Sequence, residues 1–132
     1  MQVEEIKDTA IAALDEIKAR DIVVIDVKKL TSLFDYMIVA SGESGRQNNA
    51  LARNIQDKVK AAGGHVLGSE GTQTGEWVLV DLGDVVVHIM QPAVRDYYNL
   101  EQLWGGEPPR RASGLRRVGE RPAADAGANA PV

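Results

Sequence analysis

Cysteine is absent from this 132-residue chain. That removes a disulfide framework, a thiolate metal site and a cysteine nucleophile together. Long apolar runs are absent as well, and none approaches the ~18 residues that a membrane span requires. The N-terminus opens with Glu4, Glu5 and Asp8 inside a helical pattern, not with the cationic-then-apolar order of a secretion signal. The expectation is a cytosolic protein with no membrane partner. Cations are in short supply where the chain should fold: residues 1–104 hold 10 Lys and Arg against 16 Asp and Glu, a net −6. Nucleic-acid binding needs clustered cations, so the body as a whole does not read as a nucleic-acid binder. An acidic body suits a basic protein partner through complementary fields.

Composition divides the chain in two. Residues 1–104 form one α/β domain, enough for a single core of modest size. Residues 105–132 are rich in Gly, Pro, Ala and Arg and lack a sustained apolar period, so they cannot offset their own ordering entropy. A disordered tail is expected there. Its five arginines could brush against RNA, although a solvated tail is the simpler reading.

Within the body, Ile6, Ala10, Ala13, Leu14 and Ile17 fall on one face of a helix over 3–20. Residues 22–27 and 36–41 read as two strands close enough to pair. Ser44 is placed to cap a helix whose buried stripe is Leu51, Ile55, Val59 and Ala62, and Gly63–Gly64 ends it. A weak strand over 65–69 precedes strands at 76–81 and 84–90, joined by a turn at Leu82–Gly83. A last helix starts at Pro92 and runs out near Trp104. The order predicts an α/β layer around a mixed sheet of about five strands, with helices packed mainly on one face.

Aromatics make up only 5% of the chain, yet both tryptophans and two of the three tyrosines lie between Glu76 and Trp104. Large amphipathic rings and arginine are the residues that anchor protein–protein contacts. Strand alternation puts Val78, Val80, Val85, Val87 and Ile89 on one face, and Trp77, Leu79, Asp81, Val86, His88 and Met90 on the other. The first face makes a core beneath helices. The second, if left uncovered, is a docking site; a helix or a second copy of the chain could also cover it.

Catalytic chemistry finds little support. The segment Ser41–Arg46 (SGESGR) lies between a strand and a helix start, where backbone N–H groups could hold an anion. It has neither P-loop nor dinucleotide spacing, and a tight turn is the simpler role. Asp81 and Asp84 could hold a divalent ion for nucleotidyl transfer, but flanking a turn they are expected to satisfy backbone donors. His88 has no second His or Cys spaced for metal. Arg95, followed by Asp96, Tyr97, Tyr98 and Glu101, also admits a plain salt bridge along a helix. No catalytic residue, metal or cofactor is expected.

Taken in order, DIVVIDV (Asp21–Val27), DYMIVASGES (Asp35–Ser44), Arg46–Gln47, Glu70–Gly71, EWVLVD (Glu76–Asp81), DVVVH (Asp84–His88) and RDYYNLEQLW (Arg95–Trp104) resemble the ribosomal silencing factor, or Iojap, family. The resemblance covers nearly all of residues 3–105, and the tail after Gly106 lies outside it. It implies a fold akin to nucleotidyltransferases without their catalytic carboxylates. It also implies binding to the large ribosomal subunit through ribosomal protein L-fourteen, which sterically blocks the small subunit and represses translation. Carried onto this chain, the partner surface would be Trp77 and Leu79 with Glu70, Asp81, His88, Arg95 and Tyr98. A metal-dependent nucleotidyltransferase is the alternative from another class, and a homodimer hiding the same face could compete with ribosome docking.

Overall fold

The computed structural model describes residues 1–104. The expectations for the 105–132 tail lie outside the described residues.

Helix α1 spans Val3–Glu16 and begins with a reciprocal cap between Gln2 and Glu5, whose carboxylate accepts the Gln2 N–H at 2.8 Å. It buries Ile6, Ala10, Ala13 and Leu14 and stops earlier than its apolar period suggests. Lys18 adopts a left-handed conformation (φ 66°), which turns the chain so that Ala19 N–H reaches back to the Leu14 carbonyl. Strand β1 (Arg20–Asp26) follows and pairs antiparallel with β2 (Tyr36–Ser41), every residue of which is buried.

Helix α2 spans Gly45–Ala61. Ser44 caps it by accepting the Gln47 N–H at 3.1 Å, while the Gln47 side chain accepts the Glu43 N–H at 2.7 Å. The Ser41–Arg46 segment is therefore a strand-to-helix turn with its own capping groups. Asn48, Leu51, Ala52, Ile55 and Val59 form the buried stripe of α2. A short strand β3 (Gly68–Glu70), then β4 (Trp77–Asp81) and β5 (Val85–Met90), complete the sheet. The β4–β5 turn relies on Gly83 (φ 90°), whose N–H is accepted by Asp81 at 2.9 Å.

The strand order is β1-β2-β5-β4-β3, antiparallel except for the central β2–β5 pair. The mixed five-stranded sheet is as expected. Both long helices lie on one face, over a core of Ile22, Ile38, Ala40, Val78, Val80, Val87 and Ile89. Each fully buried Leu14, Ile38 or Ile55 there contributes about 1.5–3 kcal/mol of transfer free energy.

The last helix differs from the single one expected. Asn99 takes a left-handed conformation (φ 48°) and divides it into α3 (Pro92–Tyr98) and α4 (Leu100–Trp104). These short helices cover only one end of the opposite sheet face. There Val23, Ile25, Met37, Val39 and Met90 pack against Phe34, Val94, Leu100 and Trp104. Met90, expected on the uncovered set, is fully buried under this cap.

Candidate protein-docking face

Beyond α3 and α4 the opposite face stays open over β4 and β5. Alternation along each strand directs Trp77, Leu79 and Asp81 from β4, and Val86 and His88 from β5, to this side, all half-buried. The antiparallel register sets Leu79 directly across from His88, and Glu70 of β3 across from Leu79. Leu79 and His88 thereby form a ridge between two depressions. One, of about 300 Å³, is lined by Glu70, Gly71 and Trp77 together with the ridge. The other, of about 650 Å³, runs from the ridge past Val86 and Asp81 to Leu33, Phe34, Leu67 and Trp104.

A chain of aromatic contacts runs from Tyr97 through Tyr98 to Trp77 and His88, the two rings that line the first depression. Tyr97 meets Tyr98 edge-on with ring centres 4.9 Å apart, and Tyr98 lies 4.8 Å from Trp77. Trp77 donates its indole N–H to His88 Nδ1 at 2.9 Å. The imidazole proton therefore sits on Nε2, and burial pushes the His88 pKa down to about 4. At neutral pH His88 is an uncharged member of an aromatic cluster. Tyr97 and Tyr98 remain 66% and 42% exposed, and Leu33 and Leu67 79% and 69% exposed, so the rim of this face presents large apolar groups to solvent.

Of the residues expected on a partner surface, Trp77, Leu79, Glu70, Asp81, His88 and Tyr98 come together here. Arg95 does not. It is 2% exposed and turns inward, gripping Glu101 through two contacts of 3.1 and 3.0 Å and donating to Ser41 Oγ at 2.9 Å. This is a buried bidentate pair across the α3–α4 break, not a salt bridge along one helix surface. It ties α3, α4 and β2 together and so fixes where Tyr98 and Trp104 stand. Asp81 keeps one carboxylate oxygen on the turn, in the role expected of it. Among the described residues no group of three or more His, Cys, Asp or Glu side chains could hold a metal ion.

Sequence reading missed Leu33, Phe34 and Leu67, which line the larger depression from loops distant in the chain. No spacing in the sequence links these three residues to β4 and β5. Trp104 also belongs to this face: it packs on Phe34 with ring centres 5.6 Å apart while lining the depression.

Comparison with known proteins identifies the relatives of this chain. The family profile described as "Ribosomal silencing factor during starvation" matches residues 1–130, and so takes in the tail that lay outside the resemblance. The ribosomal silencing factor RsfS of Chromobacterium violaceum is 59% identical over 117 residues, covering 89% of this chain and 96% of that protein. A crystal structure of a C. violaceum protein superposes with a TM-score of 0.79 at 59% identity, over 85% of this chain and 93% of that one. A more distant mouse relative, mitochondrial assembly of ribosomal large subunit protein 1, is 33% identical over 100 residues, or 74% of this chain and 44% of that protein.

Proposed function

The chain belongs to the ribosomal silencing factor family, and from that membership we propose that it represses translation by occupying the large ribosomal subunit. The finer reading is that it docks on ribosomal protein L-fourteen and sterically blocks the small subunit, with no covalent chemistry. The observation that carries this reading is the open half of the sheet face, a half-buried Trp–His–Leu ridge bordered by exposed aromatics and leucines in an acidic body. The name of the mouse relative, which speaks of the ribosomal large subunit, supports the choice of subunit.

In this mechanism Trp77, Leu79 and Tyr98 are the apolar anchors, and their desolvation sets how long the complex lasts. Glu70 and Asp81 flank them as carboxylates to meet basic side chains of the partner, which governs encounter and orientation. His88 stays neutral, so its burial against a partner incurs no charge-desolvation penalty. Arg95 acts from beneath by holding α3 and α4. A second copy of the chain could seat on the same face and compete with the ribosome.

Co-sedimentation of the protein with isolated large subunits, then with large and small subunits together, tests the reading. The expected result is binding to large subunits and fewer joined ribosomes. No co-sedimentation, or binding that leaves joining unchanged, rejects it. Sedimentation of the free protein at several concentrations tests the competing dimer.

A further inference from the structure

The acidic total for the body hides one strongly basic element. Helix α2 carries Arg46, Arg53, Lys58 and Lys60 against Asp57 alone. Lys58 is engaged by Glu16 of α1. Arg46, Arg53 and Lys60 recur every seventh residue, about 10 Å apart by the helical rise, and drift only about 20° per step around the axis. With Asn49 and Gln56 between them they form one polar stripe, shifted from the buried stripe of Asn48, Ala52, Ile55 and Val59. All three cations are exposed, and none forms an ion pair among the described residues.

From Asn49 to Lys60 this stripe forms one wall of a groove of about 580 Å³, with Arg46 beyond it, and the other wall is the edge of the sheet. Arg53, Lys60, Asn49 and Gln56 line it from the helix, and the hydroxyls of Ser69 and Thr72 from β3 and the loop beyond. Asp57 is its carboxylate, leaving a net charge of +1. The far wall is held in place: Asn49 donates to the Thr72 carbonyl at 2.9 Å, and buried Asn48 donates to the Gly75 carbonyl at 2.7 Å. Gly45 and Gly75 let the two backbones meet, since a Cβ on Gly75 would come within 2.5 Å of Gly45 Cα. Cations that have no ion-pair partner among the described residues, spaced along a groove with neutral hydroxyl and amide groups, suit a polyanion backbone.

Position favours one polyanion. Strand β3 ends the sheet, and successive residues on it face opposite ways: Ser69 lines this groove while Glu70 lines the docking depression. A particle docked on the open face therefore lies alongside the groove. We infer that the α2–β3 groove is a second contact surface that takes the phosphodiester backbone of ribosomal RNA next to the protein-docking face; this rests on the large-subunit reading above.

The test uses the full chain and the double variant R53A/K60A, whose changes are at exposed positions. Binding to large subunits and to purified ribosomal protein L-fourteen is measured across a potassium chloride series. The expected result is weaker subunit binding by the variant, with L-fourteen binding unchanged. The variant's log affinity–log salt slope should be shallower by about 1.5, because two fewer phosphates are neutralised. Equal slopes for the two proteins would overturn the inference, as would an equal loss on L-fourteen, which would assign the groove to protein. Tight binding of inorganic phosphate that R53A/K60A abolishes without changing the subunit slope would overturn the RNA assignment. If wild-type protein ignores L-fourteen yet binds subunits with a slope that the variant flattens, the docking reading falls and the groove stands. If it binds neither, both fall.

Discussion

The two faces of one sheet have been finished differently. On one face two long helices close over Val78, Val80, Val87 and Ile89, and all four are fully buried. On the other, two helices of seven and five residues cover one end and leave Trp77, Leu79, Val86 and His88 half-exposed. The strands carry large apolar residues on both sides, with Asp81 and His88 added on the open one. The difference lies in how much helix the chain supplies, and it separates residues that maintain the fold from residues that are available to a partner.

The largest expected effect comes from breaking the device that holds the short helices. Arg95→Ala leaves the Glu101 carboxylate buried without its bidentate partner and should cost about 3–5 kcal/mol. Replacing both residues by Met should recover much of that loss, because an apolar pair of similar volume carries no charge to desolvate. Urea unfolding of the single and double variants checks this; equal losses in both would show that the pair is not acting as a unit.

Next come matched truncations on the two faces. Ile55→Ala beneath the closed face should cost about 3 kcal/mol of stability, whereas Leu79→Ala on the half-open face should cost nearer about 1 kcal/mol. Their effects on large-subunit binding should rank the opposite way at temperatures where both variants are folded. A Leu79→Ala protein as unstable as Ile55→Ala would erase the contrast between the faces.

Trp77→Ala should weaken large-subunit binding by about 2 kcal/mol, roughly 30-fold, as for an interface hot spot. Unchanged affinity in a folded variant would move the docking surface elsewhere.

The last expected effect is a pH dependence. Folded His88 titrates at about 4 against 6.5 in the unfolded chain, so between these values the unfolded state holds more protons. Stability should therefore be complete above about pH 6.5 and fall as pH drops towards 4. The loss at pH 5 should be at most about 2 kcal/mol. Comparing urea midpoints at pH 7 and pH 5 for wild type and His88→Asn isolates it, and identical shifts in the two would assign the dependence to other groups.

How much of this was legible in the sequence follows from what each signal encodes. The 3.6-residue period of α1 and α2, the Ser44 cap and the period-two alternation of β4 and β5 are local, and they placed those elements, with the end of α1 falling short of the expected residue 20. Alternation also placed Trp77, Leu79, Asp81 and His88 on one face. The division at Asn99 carries no Gly or Pro, only a residue type that tolerates left-handed backbone better than most. The inward turn of Arg95 depends on that division, because a continuous helix would not bring residues 95 and 101 onto one side. Leu33 and Leu67 joined the site through tertiary proximity that no spacing rule expresses.

The Arg95–Glu101 clasp has a consequence for synthesis on the ribosome. Residues 1–91 contain every strand and both long helices among the described residues, so the sheet and its closed core can assemble while later residues are still being added. Until Glu101 has emerged, Arg95 has no carboxylate at the place where it must be buried, and helices this short do not persist alone. The wall bearing Tyr98 and Trp104 is thus laid down last. A nascent or prematurely ended chain would carry the sheet without its finished face, so under the proposed docking mechanism a chain stopped before residue 101 should fold its core and fail to bind.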